Sequence, residues 1–338
     1  MAEKCRKVCV TGGAGFLGSW LVMKLLQRGY TVHVTSRNLA QANVQALKDL
    51  PGADSQLRLF QTDTCDQGAV QEAVQGCYCV FHMATPFVHT ISGFKDTTEA
   101  ALAGVKSIVE ACIRSGTAKR IIYTGSVVAA SPLLNRDDAA TSYRDCIDES
   151  CWTTPPLGID FPFANDHLLE YAASKTMTEM ELLKCGEIEV VSLTTGLVGG
   201  DTILGYAPDC MKTLLSQVTG EEVYYRMLRF IEELVGKIPI VHVEDVINAH
   251  IYCMENPSIT GRFLCANGYL KTAEIADYWA RHYPSIRIPQ RLIEDTQRTI
   301  RWGSSKLQNV GFHYEYETDE TLEQSIRCAV RLGEVSLD

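Results

Sequence analysis

Val8-Cys9-Val10-Thr11-Gly12-Gly13-Ala14-Gly15-Phe16-Leu17-Gly18 is an apolar run that ends in closely spaced glycines and leads into Leu21, Leu25 and Leu26 at helical spacing. A strand that turns through glycines into a helix is the context a dinucleotide fingerprint requires. Glycines let backbone N–H groups approach a pyrophosphate, and the helix N-terminus offers it partial positive charge. Two registers fit, Gly12, Gly15 and Gly18 or Gly13, Gly15 and Gly18. A tight turn that binds nothing is the bland alternative.

Downstream, β-rich runs at 7–11, 31–36, 57–61, 78–83, 119–124 and 188–194 alternate with amphipathic stretches near 16–28, 66–75, 97–115 and 165–184. That alternation predicts an α/β fold, a Rossmann-type doubly wound parallel sheet with right-handed crossovers. The polar, proline-containing stretch from Ser131 to Phe163 is too long for a simple connector and is expected to flank a site. A nucleotide-binding domain is expected over 1–200 and a smaller C-terminal substrate lobe over 201–338, with 238–255 returning to the first domain.

The chain has 338 residues, 46% hydrophobic and 21% charged, which excludes disordered and fibrous classes. Its 31 Lys and Arg against 41 Asp and Glu leave a formal charge of -10 that repels nucleic acid and anionic lipid. Thirteen cysteines, odd in number and set in apolar runs, read as reduced, buried thiols. With no leader-like start and no long apolar run, the expected location is cytoplasmic. The expected partner is a small molecule, with no nucleic acid and no membrane, and the chain is expected to be a monomer or weak homodimer. The eight histidines show no metal-ligand spacing, so no metal is expected.

Cofactor choice is read at the end of the second strand, Val34-Thr35-Ser36-Arg37-Asn38. No carboxylate stands there to repel a 2′-phosphate, and the Arg37 fork can pair with one, which favours NADPH. Asp63, after the third strand, is a candidate for the adenine amine, or else a loop cap.

Tyr171-Ala172-Ala173-Ser174-Lys175 places a phenol and an ammonium on one helix face. A lysine one turn away, added to the positive nicotinamide ring of an oxidised cofactor, is expected to bring the tyrosine pKa from about 10 toward the working range, so that in reduction Tyr171 protonates a developing alkoxide. Arg120-Ile121-Ile122-Tyr123-Thr124-Gly125-Ser126-Val127 reads as a buried strand ending in hydroxyls. Ser126 is then the donor to a substrate carbonyl, with Thr124 or Ser131 as the alternatives. No Gly-x-Ser-x-Gly elbow supports a hydrolase. His82 is expected to line the cofactor. A non-catalytic NADP-sensing protein typically lacks the Tyr/Lys pair, which this chain keeps.

Together the fingerprint, Ser126, Tyr171 and Lys175 resemble the plant extended short-chain dehydrogenase/reductases related to dihydroflavonol 4-reductase, anthocyanidin reductase and vestitone reductase. The resemblance spans about residues 6–335. It includes Phe81-His82-Met83-Ala84-Thr85-Pro86, Asp148-Glu149-Ser150-Cys151-Trp152, Val241-His242-Val243-Glu244-Asp245-Val246 and Gly261-Arg262-Phe263. Ala130-Ser131-Pro132-Leu133, Tyr143-Arg144-Asp145, 200–208 and Met254-Glu255-Asn256-Pro257-Ser258 are more similar to the cereal HC-toxin reductase branch, which the resemblance implies reduces a toxin side-chain ketone with NADPH. The expected nucleotide-binding residues are Thr11, Gly12, Gly13, Gly15, Phe16, Leu17, Gly18, Arg37, Asp63, Thr64, Met83, Ala84, Thr85, Thr124, Tyr171, Lys175, Leu197 and Val198. Expected substrate-wall residues are Phe87, Ser131, His167 and Tyr206.

Three departures bear on substrate. Dihydroflavonol reductases typically have Asn where this chain has Ser131, so a flavonoid 4-ketone is disfavoured. The usual proline near the nicotinamide is Thr195, and the backbone there is expected to be less rigid. The Asn-Trp-Tyr-Cys segment of cinnamoyl-CoA reductases is replaced by Leu168-Leu169-Glu170 before Tyr171, which disfavours a CoA thioester. No Asn occurs between 95 and 120 to fill the family's helix-borne fourth catalytic position.

Overall fold

The computed structural model describes residues 7–85, 93–134, 142–156, 161–294, 296 and 298–337. Phe87 lies outside these residues. Strands β1 (Lys7–Thr11), β2 (Thr31–Ser36), β3 (Leu57–Gln61), β4 (Cys79–His82), β5 (Arg120–Ser126) and β6 (Glu189–Thr195) follow the expected alternation. With β9 (Gly261–Cys265) they form a seven-stranded sheet ordered β9-β6-β5-β4-β1-β2-β3. The reversal of order beside β1 is that of a doubly wound Rossmann-type fold. β1 pairs parallel with β2 and β4, setting Val8 against Val32 and Val10 against Phe81. Strands buried on both faces favour apolar sequence, which β1 and β4 supply, whereas β2 buries His33 and Thr35 beside Val32 and Val34.

Helices α1 (Phe16–Gln27), α2 (Gln67–Val74), α3 (Thr97–Ser115) and α4 (Asp166–Leu183) cross between the strands. Their ends follow local chemistry. Asp96 caps α3 by accepting from Glu99 N, and Gly116, at φ 64°, ends it in the left-handed region.

The chain divides into two compact units: Met1–Thr124, Met177–Leu193 and Ile247–Arg262, and Gly125–Thr176, Thr194–Val246 and Phe263–Asp338. This differs from a single boundary at residue 200. Val128, Phe161 and Ala172 are buried in one apolar cluster with Phe230, Leu234 and Leu264, which draws Gly125–Thr176 into the second unit. The segment that rejoins the first unit is 247–262 rather than 238–255. Residues 238–242 form β8 (Ile238–His242), paired instead with β7 (Leu197–Gly199) and β10 (Gly268–Leu270) in the second unit.

In the first unit the core gathers Cys9, Val80, Ile121, Val190, Ile108 and Ala111. Arg120 is fully buried there, its guanidinium donating to Glu189 and to the carbonyls of Cys253, Asn256 and Pro257. The second unit adds α5 (Asp209–Leu214), α6 (Glu222–Val235), α7 (Val243–Glu255, whose last turns belong to the first unit), α8 (Thr272–His282) and α9 (Thr318–Arg331). Leu214, Leu228, Ile240, Trp279 and Ile326 make its main core. No described helix is long and apolar enough to cross a membrane.

Candidate active site

The glycines of the first turn do separate jobs. Gly12 has φ 69°, and a Cβ there would stand 2.9 Å from Ala84 Cα. A Cβ on Gly13 would meet Val34 Cγ1 at 2.7 Å, and one on Gly18 would collide with the Gly12 carbonyl. These three are required by the fold. Gly15 is different: it is exposed, and its Cβ would meet only Gly12 O, at 3.3 Å. It is the N-cap of α1, no side chain caps that end and no acid lies in the first turn. A helix start that leaves its N–H groups uncapped beside an open glycine fits the pyrophosphate of a dinucleotide. Phe16 and Leu17, half-buried, supply the first of those N–H groups.

Around that loop, the Thr11 hydroxyl lies 2.9 Å from His82 Nδ1 and accepts from Ala84 N at 3.3 Å. Ala84 is thereby held against Gly12, with Met83 and Thr85 half-buried on either side. Arg37 is exposed one residue beyond β2. Asp63 uses Oδ1 to accept from Cys65 N at 2.9 Å, the loop-capping arrangement, and Thr64 lies where a Cβ on Gly104 would touch its hydroxyl, at 2.8 Å. Thr124, an expected cofactor contact and an alternative donor, hydrogen-bonds His250 Nε2 at 2.8 Å, and both are buried. Sequence reasoning missed His250, which has no motif around it.

In the second unit, Ser126 ends β5 in extended backbone and caps the short turn Val127–Ala129, its Oγ 3.5 Å from Val128 N. The Ser126 hydroxyl is placed to donate toward the Tyr171 oxygen, which comes from α4. Lys175 is buried one turn on, with Nζ 6.0 Å from the centre of the Tyr171 ring. Burial pushes the Tyr171 phenol above its ordinary value, the bond to Ser126 pulls it down, and the nearby Cys210 thiol pushes it up. Desolvation of the phenolate is the largest of these effects in the chain by itself, and the expected lowering includes the charge of a nicotinamide ring that the chain by itself does not carry. The phenol stays protonated at neutral pH.

Thr195, at the end of β6, donates its hydroxyl to the Gly125 carbonyl at 3.1 Å. A hydrogen bond thus occupies the position at which the resemblance had suggested only a lost proline. Leu197 and Val198 are buried in β7, paired with Ile240 and Val241, and Leu197 belongs to the main core of its unit. Only their backbone is available to a ligand.

The expected substrate wall is partly corrected. Ser131 is 1% exposed, and its hydroxyl donates to the Leu234 carbonyl at 2.6 Å and accepts from Leu133 N at 3.2 Å. Its donor is spent on the fold and it presents nothing to a ligand. His167, in the first turn of α4, is exposed, as is Tyr206. Cys210, in α5, is the neighbour that sequence reasoning missed; burial pushes its thiol up to about 12. A cysteine thirty-nine residues past Tyr171, with no motif around it, gives no signal of that proximity. No group of His, Cys, Asp or Glu among the described residues is arranged to hold a metal ion.

Residues 8–263 match the pattern of the NAD dependent epimerase/dehydratase family. The chain is 33% identical to vestitone reductase of Medicago sativa, covering 98% of this chain and 99% of that protein. It is 32% identical to dihydroflavonol 4-reductase of Zea mays, over 98% and 90%. The crystal structure of vestitone reductase from alfalfa superposes with a TM-score of 0.77 at 30% identity, over 97% of this chain and 99% of that one. The fold is also that of yeast methylglyoxal/isovaleraldehyde reductase complexed with NADPH, at a TM-score of 0.69 and 17% identity. Fold and relatives together define an oxidoreductase that uses a nicotinamide dinucleotide. The chain belongs to the NAD dependent epimerase/dehydratase family, among the extended short-chain reductases.

Proposed function

We propose that this enzyme uses NADPH to reduce a ketone or aldehyde on a plant secondary metabolite or toxin, with Ser126, Tyr171 and Lys175 as its catalytic group. The observation that carries this reading is the hydrogen bond between Ser126 and Tyr171, with the Lys175 ammonium 6.0 Å from the phenol ring. Ser126 Oγ holds the substrate carbonyl oxygen, and Tyr171 Oη delivers a proton to it as negative charge develops. An alkoxide is a far stronger base than a phenolate, so a phenol kept protonated by burial suits that direction of transfer. Lys175 opposes the charge left on the phenolate and reaches the nicotinamide ribose. When bound, the reduced nicotinamide supplies the reducing equivalent that turns C=O into CH–OH. Arg37 holds the 2′-phosphate, and the open N-terminus of α1 at Gly15 holds the pyrophosphate.

The substrate is a carbonyl compound whose remote end is less polar than a dihydroflavonol B-ring, as for a toxin-reductase-like enzyme. Support comes from the sequence resemblance alone, since Ser131 is buried against Leu234 and faces no ligand. A flavonoid ketone is the second reading, favoured by what the relatives are named for. NADPH oxidation measured against dihydroflavonols, anthocyanidins, isoflavanones, aromatic aldehydes and epoxy-ketones separates them. Slow turnover of dihydroquercetin beside faster turnover of a less polar ketone or aldehyde is expected. Dihydroquercetin turned over as fast as the best substrate would transfer the assignment to flavonoid reduction, and tight NADPH binding with no turnover would make the protein a sensor.

A further inference from the structure

We infer that Thr195 is a positioning residue for the reaction: its hydroxyl fixes the backbone from which Ser126 projects. Its role rests on the part proposed above for Ser126 and Tyr171. Ser126 stands where the chain changes course, extended at φ -141° and ψ 142° and followed at once by the turn Val127–Ala129. The bond from Val128 N to Ser126 Oγ, at 3.5 Å, is at the outer limit for a hydrogen bond and restrains the side chain weakly. The residue before Ser126 is Gly125, and glycine has the widest backbone freedom of any residue. Into that carbonyl Thr195 donates at 3.1 Å, from a side chain only 5% exposed.

The donor is itself held. Gly196 N donates to the Cys265 carbonyl at 3.0 Å, and a Cβ on Gly196 would stand 2.7 Å from the Pro239 carbonyl oxygen, so the chain just after Thr195 is closely enclosed. A β-branched side chain has few rotamers to lose, so the hydroxyl keeps its direction. The restraint passes from an enclosed strand end, through one hydrogen bond, to the peptide before Ser126, and Ser126 in turn bonds the Tyr171 hydroxyl. Small displacements at a reacting centre cost rate out of proportion to their size.

Thr195→Val keeps the shape and removes the donor, whereas Thr195→Ser keeps the donor. Turnover number, KM for the carbonyl substrate, NADPH affinity by calorimetry and Tm are measured for both, with Tyr171→Phe alongside. The expected result for Val is a kcat lowered about tenfold, with NADPH affinity and the substrate KM within about twofold of the parent. The serine variant should recover kcat to within about threefold. A valine variant with parental kcat, or a serine variant as slow as valine, overturns the role. So does a loss of kcat matched by an equal loss of NADPH affinity. If Val proves too unstable to assay, the comparison of Ser with Thr195→Ala, read per NADPH-binding site, decides on the same terms. Parental turnover in Tyr171→Phe would instead remove the catalytic assignment on which Thr195 depends.

Discussion

Thr11 Oγ1 and His82 Nδ1 lie 2.9 Å apart in a hydrogen bond, and both residues are buried. The Thr11 hydroxyl joins His82 to the backbone of the next loop, accepting from Ala84 N–H at 3.3 Å. His82 thus acts through Thr11 on the backbone of Ala84, against which Gly12 packs. Exchanging His82 for Leu strands a buried hydroxyl, at a cost of about 1–3 kcal/mol. Tm should fall, and calorimetry should find NADPH and NADH weakened by the same factor, since neither contact involves the 2′-phosphate. Unchanged affinity for both would leave His82 a core residue only.

Arg37 should behave in the opposite way. Its removal in Arg37→Ala is expected to weaken NADPH about ten- to hundredfold while NADH changes little, the loss of one charge-assisted contact. Equal losses for both dinucleotides would make Arg37 structural.

For Tyr171→Phe, the ring stays and the proton goes. Turnover should slow by about two to four orders of magnitude, with NADPH affinity near that of the parent. Stopped-flow and steady-state rates measured on the best substrate check this, and a variant within severalfold of the parent would mean that another group protonates the product.

Asp245 predicts a pH effect on stability away from the reaction. Burial raises its carboxyl from 3.8 to about 6, partly offset by the N–H groups of Glu315 and Tyr316. A raised folded-state value means that the unfolded chain releases this proton first. The stabilisation tied to protonated Asp245 is therefore complete below about pH 4 and lost as pH rises through about 6. Asp245→Asn cannot ionise, so the Tm of the variant relative to the parent should climb between those pH values and then level. A difference that stays constant from pH 4 to 7 would show that Asp245 ionises freely in the folded chain.

The strands around the glycine turn were legible because their signals are local: Val8 to Val10 is an apolar run, and Thr31 to Ser36 is rich in β-branched residues. Tyr171 and Lys175 were legible for a similar reason, since helical spacing alone puts them on one face. The bonds from Thr195 to Gly125 and from Thr124 to His250 were not, for they join residues 70 and 126 apart. A hydroxyl at a strand end looks the same whether it meets a substrate or a carbonyl of its own chain. Ser131 was misjudged on that account: the Leu234 carbonyl reaches it only through the packing of α6. The domain boundary failed similarly, because an apolar cluster recruits Val128 and Phe161 to Phe230 and Leu234 of α6, far along the chain.

Cys210 gives the proposed catalytic group a quiet neighbour. A thiol near Tyr171 would ordinarily be a hazard in an enzyme that handles enones, epoxides or reactive aldehydes, because thiolate attacks such electrophiles. Burial pushes its pKa up to about 12, so the thiol form prevails at neutral pH. A carbonyl compound carrying an alkylating group can therefore dwell beside Tyr171 without consuming the catalyst, and compounds of that kind should leave as product rather than as a covalent adduct.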